Sequence, residues 1–189
     1  MRILVLDNYD SFTYNLVHLI EKCTDSEVDV FKNDAISLEK IESYDRIVLS
    51  PGPGLPSESG IMPELLKTYV GKKNIFGVCL GMQAIGEHFG AKLKNLQEVV
   101  HGQKTPVALI ADDPLFENCP DTFQVGRYHS WVINSETVPA CLTVTAVDKH
   151  HQIMAIRHNT LPIKGVQFHP ESVMSEYGEQ IMRNWLLTS

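Results

Sequence analysis

The chain has 189 residues, 43% of them apolar, with a net charge of −7, enough for one domain with a full core, residues 1–189. The acidic balance excludes a nucleic-acid surface, which needs clustered Lys and Arg to displace counterions. No apolar run approaches the ~18 residues of a membrane span, and the start "MRILVLD" has neither the apolar length nor the cleavage site of a secretory leader, so a cytoplasmic protein is expected. Cys23, Cys79, Cys119 and Cys141 are scattered, with no C-x-x-C pair, which speaks against a disulfide scaffold and a zinc site.

The first half alternates β-branched runs with helix-period segments: strand Arg2–Leu6, helix Thr13–Lys22, strands Val28–Phe31 and Arg46–Leu49, helix Ile61–Val70, strand Asn74–Val78, helix Met82–Phe89. That rhythm predicts parallel strands joined by crossover helices. The second half changes to strands at Thr105–Ile110, Thr122–Arg127, Leu142–Ala146, Gln152–Arg157 and Ile163–Phe168, with a hairpin turn at Asp148–His151. A last helix over Glu176–Leu187 presents Tyr177, Ile181 and Trp185 as a docking face. The expected fold is an α/β sandwich with a mainly parallel central sheet and an antiparallel extension.

In "GVCLGMQ", Cys79 stands between Gly77 and Gly81, where a strand gives way to a helix. G-x-C-x-G is the thiol form of the G-x-S-x-G nucleophile elbow, which lifts a side chain above the sheet edge and sets it at a helix N-terminus. An inert, buried cysteine at a strand end is the competing reading. A thiol nucleophile needs a base, and the base an orienting group. Of eight histidines only His169 has a carboxylate two positions on, Glu171 in "GVQFHPES". Pro170 biases His169 to extended geometry, where positions i and i+2 share a face. Both would sit on the edge of Cys79 if Ile163–Phe168 runs parallel to Asn74–Val78. A loop histidine beside a solvated glutamate is the alternative. His150 and His151 are adjacent in a turn and make a poor metal pair.

An attacked carbonyl also needs donors for its oxyanion. In "PGPG", Pro51 and Pro53 have no N–H, leaving Gly52 and Gly54 as donors. The N–H groups of Gly54 and Leu80 would form a two-donor hole. A rigid turn is the plain alternative, and a phosphate loop is disfavoured because G-x-x-x-x-G-K-[ST] and G-x-G-x-x-G are both missing.

With "PGPG", "GVCLGMQAIG", "RYHS" and "GVQFHPES" in this order, the chain resembles the class I glutamine amidotransferases over essentially its whole length. "LDNYDSFTYN" narrows the resemblance to the small (component II) subunits of anthranilate synthase and para-aminobenzoate synthase. The resemblance implies a flavodoxin-like sandwich. It implies Cys79 as nucleophile, His169 as acid and base, Glu171 as orienting carboxylate, and Gly54 and Leu80 as oxyanion donors. Gly52, Gln83, Ser130 and Trp131 would bind L-glutamine, the last two through backbone groups. No cofactor or metal is implied. The implied partner is a larger, chorismate-binding synthase subunit (component I) that consumes the ammonia. Asn8–Asn15, with Tyr9, Phe12 and Tyr14, is a candidate docking segment, against ordinary capping by Ser11 or Thr13. Met82 departs from the histidine of many relatives, and Trp131 is bulkier than the usual aliphatic residue. The alternative functions are a stand-alone γ-glutamyl hydrolase and a non-enzymatic binding subunit.

Overall fold

The structure is a computed structural model that describes residues 1–187. Its strands are β1 (Arg2–Asp7), β2 (Glu27–Lys32), β3 (Arg46–Leu49), β4 (Asn74–Val78), β5 (Leu93–Leu109), β6 (Thr122–Ile133), β7 (Leu142–Asp148), β8 (Ile153–His158) and β9 (Ile163–Val166). The helices are α1 (Thr13–Cys23), α2 (Leu38–Ile41), α3 (Met62–Tyr69), α4 (Leu80–His88) and α5 (Gly178–Leu187). The strands form one sheet in the order β2-β1-β3-β4-β9-β8-β7-β5-β6. β2, β1, β3, β4 and β9 run parallel, and β8, β7, β5 and β6 add an antiparallel wing.

Successive side chains of a strand point to opposite faces, and the apolar residues divide accordingly. In β1, Ile3 and Val5 join Leu16, Ile20, Ile181 and Trp185 of α1 and α5, while Leu4 and Leu6 join Leu65, Leu66 and Ile85 of α3 and α4. Both faces are covered, which explains the unbroken apolar runs of the parallel strands. Among the described residues no helix is long and apolar enough to cross a membrane.

The expected elements are present, with informative shifts at their ends. α4 begins at Leu80 rather than Met82, because Gly81 sits in its first turn instead of breaking it; a Cβ on Gly81 would lie 2.3 Å from the carbonyl oxygen of Leu49. α5 begins at Gly178, and Tyr177 precedes it with φ 59°, so the face that docks α5 is Ile181 and Trp185 without Tyr177. β5 and β6 are far longer than Thr105–Ile110 and Thr122–Arg127. Their added lengths carry His101 from β5 and Tyr128–Trp131 from β6 to the functional site. The Asp148–His151 turn joins antiparallel β7 and β8 as expected.

Candidate active site

Cys79 follows the last residue of β4 and immediately precedes α4, at φ 53° and ψ −103°. A non-glycine residue there is strained, at a cost of about 1–3 kcal/mol that the surroundings must offset. Gly77 and Gly81 make the conformation attainable: a Cβ on Gly77 would lie 2.4 Å from the backbone carbon of Gly81, so strand and helix touch where both side chains are missing. The helix is thereby drawn down onto the strand end, and the thiol is held over its first turn, 5% exposed.

β4 and β9 are parallel neighbours, with Gly77 opposite Gly165 and Val78 opposite Val166. The chain leaves β9 and reaches His169 on the same edge as Cys79. His169 Nδ1 and Glu171 Oε1 are 2.7 Å apart, with side chains only 2% and 0% exposed. Nε2 has no hydrogen-bond partner among the described residues and is left for chemistry. Burial lowers the proton affinity of the ring, but the Cys79 sulfur and Glu171 outweigh it and push the pKa up to about 10. The ring is boxed by Phe12 and Tyr128, with centroids 5.7 and 4.9 Å away. Its backbone is pinned too, with His169 N–H donating to the Gly126 carbonyl at 3.0 Å.

The "PGPG" loop leaves β3 and crosses the same edge. Gly52 is obligatory there, because a Cβ would lie 2.6 Å from both Cβ and O of Asn8 and 2.9 Å from Leu80 Cδ2. Asn8 holds the loop in turn, its Nδ2 donating to the Ser50 carbonyl at 2.9 Å. Gly54 has φ 74°, a left-handed conformation suited to glycine. Asp7 Oδ1 gathers the neighbouring turn by accepting from Tyr9 N–H at 2.9 Å and Thr13 Oγ1 at 2.8 Å.

Two cavities meet at Cys79. One, of about 190 Å³, is lined by Gly52, Pro53, Gly54, Gln83, Tyr128, His129, Ser130 and Trp131 together with the thiol. The other, of about 460 Å³, opens between Tyr9–Phe12, Pro51–Pro53, His101, Tyr128 and His169. All the residues expected in the site therefore converge, with Leu80 following the nucleophile at the helix start. Met82 is fully buried away from both cavities and packs over Gly165, where a Cβ would lie 2.7 Å from Met82 Cγ, so its departure concerns packing. A larger cavity of about 660 Å³ beside Leu109–Asp121 contains Cys119, but burial pushes that thiol up to about 11.

Behind the smaller cavity runs a polar network that the sequence reading missed. Arg127 Nη1 donates to Asp148 Oδ2 at 2.7 Å and its Nη2 to Gln152 Oε1 at 2.8 Å, tying β6 to the β7–β8 hairpin. Its Nε donates to His129 Nε2 at 3.0 Å. Burial, then Arg127, depresses the His129 pKa to about 3, so the ring is neutral. Gln167 is fully buried beside Cys79. It stands two residues before His169 in the bend that follows β9, which ends at Val166 and not at Phe168 as expected.

Residues 4–189 match the family model for glutamine amidotransferase class-I. The chain belongs to the class I glutamine amidotransferases. As an amidotransferase it is 45% identical over 188 residues to the aminodeoxychorismate/anthranilate synthase component 2 of Bacillus subtilis, covering 98% of this chain and 96% of that one. It is 41% identical over 186 residues to the aminodeoxychorismate synthase component 2 of Escherichia coli, covering 97% and 98%. Among solved structures, a Thermoplasma acidophilum protein described as a GMP synthase subunit superposes with a TM-score of 0.88 at 27% identity, over 98% of this amidotransferase and 92% of that chain.

Proposed function

We propose that this amidotransferase is the glutaminase subunit of a two-component synthase, hydrolysing L-glutamine and passing ammonia to a chorismate-binding component I that makes anthranilate or the para-aminobenzoate precursor. The observation that carries the reading is the convergence of Cys79 with the His169–Glu171 pair from adjacent parallel strands, bordered by a cavity sized for one amino acid. The component 2 relatives from Bacillus subtilis and Escherichia coli supply the partner class.

Cys79 Sγ, as the thiolate whose proton is held on His169 Nε2, attacks the carboxamide carbon of glutamine. Gly54 and Leu80 N–H groups receive the oxyanion, each donor contributing about 10²–10³ in rate. Collapse expels the amide nitrogen, which takes the proton from His169 and leaves as ammonia, and a glutamyl thioester remains on Cys79. His169 then removes a proton from water, hydroxide attacks the thioester, and glutamate is released with the thiol restored. Glu171 holds the ring through Nδ1 and steadies its positive charge. Gly52, Gln83, Ser130 and Trp131 hold the glutamine, whose ammonium and carboxylate are costly to bury unpaired.

The smaller cavity suits free glutamine better than a γ-glutamyl peptide. The whole chain acts as one domain, and its four free thiols suit the reducing cytoplasm. Asn8–Asn15 forms part of the surface that meets component I: Tyr9, 51% exposed, lines the cavity of about 460 Å³, Tyr14 is 62% exposed, and Phe12 packs against His169.

Reconstituting the complex with Cys79→Ala tests the function. The reading expects glutamine-dependent product formation to vanish while synthesis from added ammonium salt persists. Continued use of glutamine by the variant would contradict it.

A further inference from the structure

The direction of the side-chain hydrogen bonds of Gln167 is dictated by one backbone carbonyl. The carbonyl oxygen of Trp131 can only accept, so the end of Gln83 that meets it at 2.8 Å is the NH₂ group. The same nitrogen lies 3.1 Å from the side chain of Gln167, whose facing atom must therefore be its oxygen. With Oε1 so placed, the NH₂ of Gln167 is turned to Cys79 Sγ, 3.5 Å away. The arrangement is fixed from the other side as well. Because Arg127 Nε donates to His129 Nε2, the neutral ring carries its proton on Nδ1, which donates to the same Trp131 carbonyl at 3.1 Å.

We propose that Gln167 is a further catalytic residue, whose side-chain N–H stabilises the Cys79 thiolate relative to the thiol and aims the sulfur toward the glutamine cavity. The inference rests on the reading of Cys79 as nucleophile. A thiol sulfur is a weak acceptor, whereas bonds to an ionised acceptor are roughly twice as strong as neutral ones. The donor therefore favours the reactive form. The other groups that act on this sulfur are His169, backed by Glu171, and the first turn of α4, with Tyr9, Asp10, His101, Tyr128 and His129 lining the adjoining cavities. His169 must give up and regain its proton during turnover. The amide of Gln167 does not titrate, so its donation is constant through the cycle. Gln83 acts on the sulfur through Gln167 as a positioning residue, in addition to lining the cavity.

The test is the pH dependence of iodoacetamide alkylation at Cys79 in the full chain, without glutamine, followed on the Cys79 peptide by mass spectrometry. Gln167→Met is expected to raise the apparent midpoint by about one pH unit, equivalent to about tenfold less thiolate below it. Gln167→Glu, which puts a carboxylate beside the sulfur, is expected to raise it further, and Gln83→Leu to raise it less. A folded Gln167→Met with the native midpoint would overturn the proposal. Should that variant fail to fold, the near-isosteric Gln167→Glu decides in the same way, an unmoved midpoint overturning it. Glutamine is absent, so lost substrate binding cannot imitate the effect. A native chain in which Cys79 reacts no faster than Cys23, Cys119 and Cys141 would instead remove the nucleophile assignment, and this proposal with it.

Discussion

The backbone N–H of Cys79 donates to the carbonyl oxygen of Val166 at 2.8 Å, tying the elbow to the strand that leads, three residues on, to His169. The alignment of the proposed nucleophile with its base is thus part of the sheet's own ladder. It does not depend on a flexible loop closing over the site.

Strain at the elbow makes a first prediction. Glycine is ordinarily the more costly replacement, but position 79 has φ 53°. Cys79→Gly should be more stable than Cys79→Ala by about 1 kcal/mol or more, with both inactive. Urea unfolding of the two variants checks it, and the reverse order would show that the torsion stores no strain.

The glycine bracket makes a second. Gly81→Ala places a methyl 2.3 Å from the Leu49 carbonyl oxygen, which belongs to a central strand and cannot move aside. A loss of about 1–3 kcal/mol is expected from overpacking, with glutaminase activity falling further than stability because the displaced helix carries the proposed oxyanion donor Leu80. Denaturation and glutamate release measured on one preparation separate the two effects.

The buried ion pair makes a third. Arg127 and Asp148 side chains are 4% and 2% exposed. Removing one partner strands the other, so Arg127→Met should cost about 3–5 kcal/mol. The double variant Arg127→Met with Asp148→Leu should recover part of that loss. A cycle of thermal melts reads the coupling.

The proton on His169 makes a fourth. Its pKa is raised to about 10 from the usual 6.5, so the charged ring contributes stability in full below pH 6.5 and loses it as pH rises toward 10. The stability gap between the native chain and His169→Gln should therefore narrow across that window. Unfolding measured at pH 6, 8 and 10 tests the direction, and a gap that widens would contradict it.

Much of this was readable in the residues because the determinants are local. A thiol between Gly77 and Gly81, and a histidine two residues from Glu171, announce their geometry through backbone rules of short range. The full length of β6 was not readable, since His129 and Ser130, just past the expected end at Arg127, are polar and look like a loop until the neighbouring strand gives them partners. Phe12 was equally hidden, because its place against His169 is set by a contact between the first and last thirds of the chain. Gln167 was hidden as well, since it sits in the bend beyond β9 and its partner Gln83 comes from another element.

The docking segment makes a fifth prediction. Substituting Tyr9 or Asp10 is expected to weaken association with component I while leaving the fold of the isolated chain intact. Titration calorimetry with component I decides it, and unchanged affinity would remove Asn8–Asn15 from the interface.

The most direct test is the intact mass of the chain after incubation with an electrophilic glutamine analogue, beside a Cys79→Ala control. A single adduct on the native chain, missing from the control, is the predicted result. An adduct that persists in the control, or none on the native chain even with component I present, would contradict the assignment of Cys79 as the nucleophile of a glutamine-shaped site.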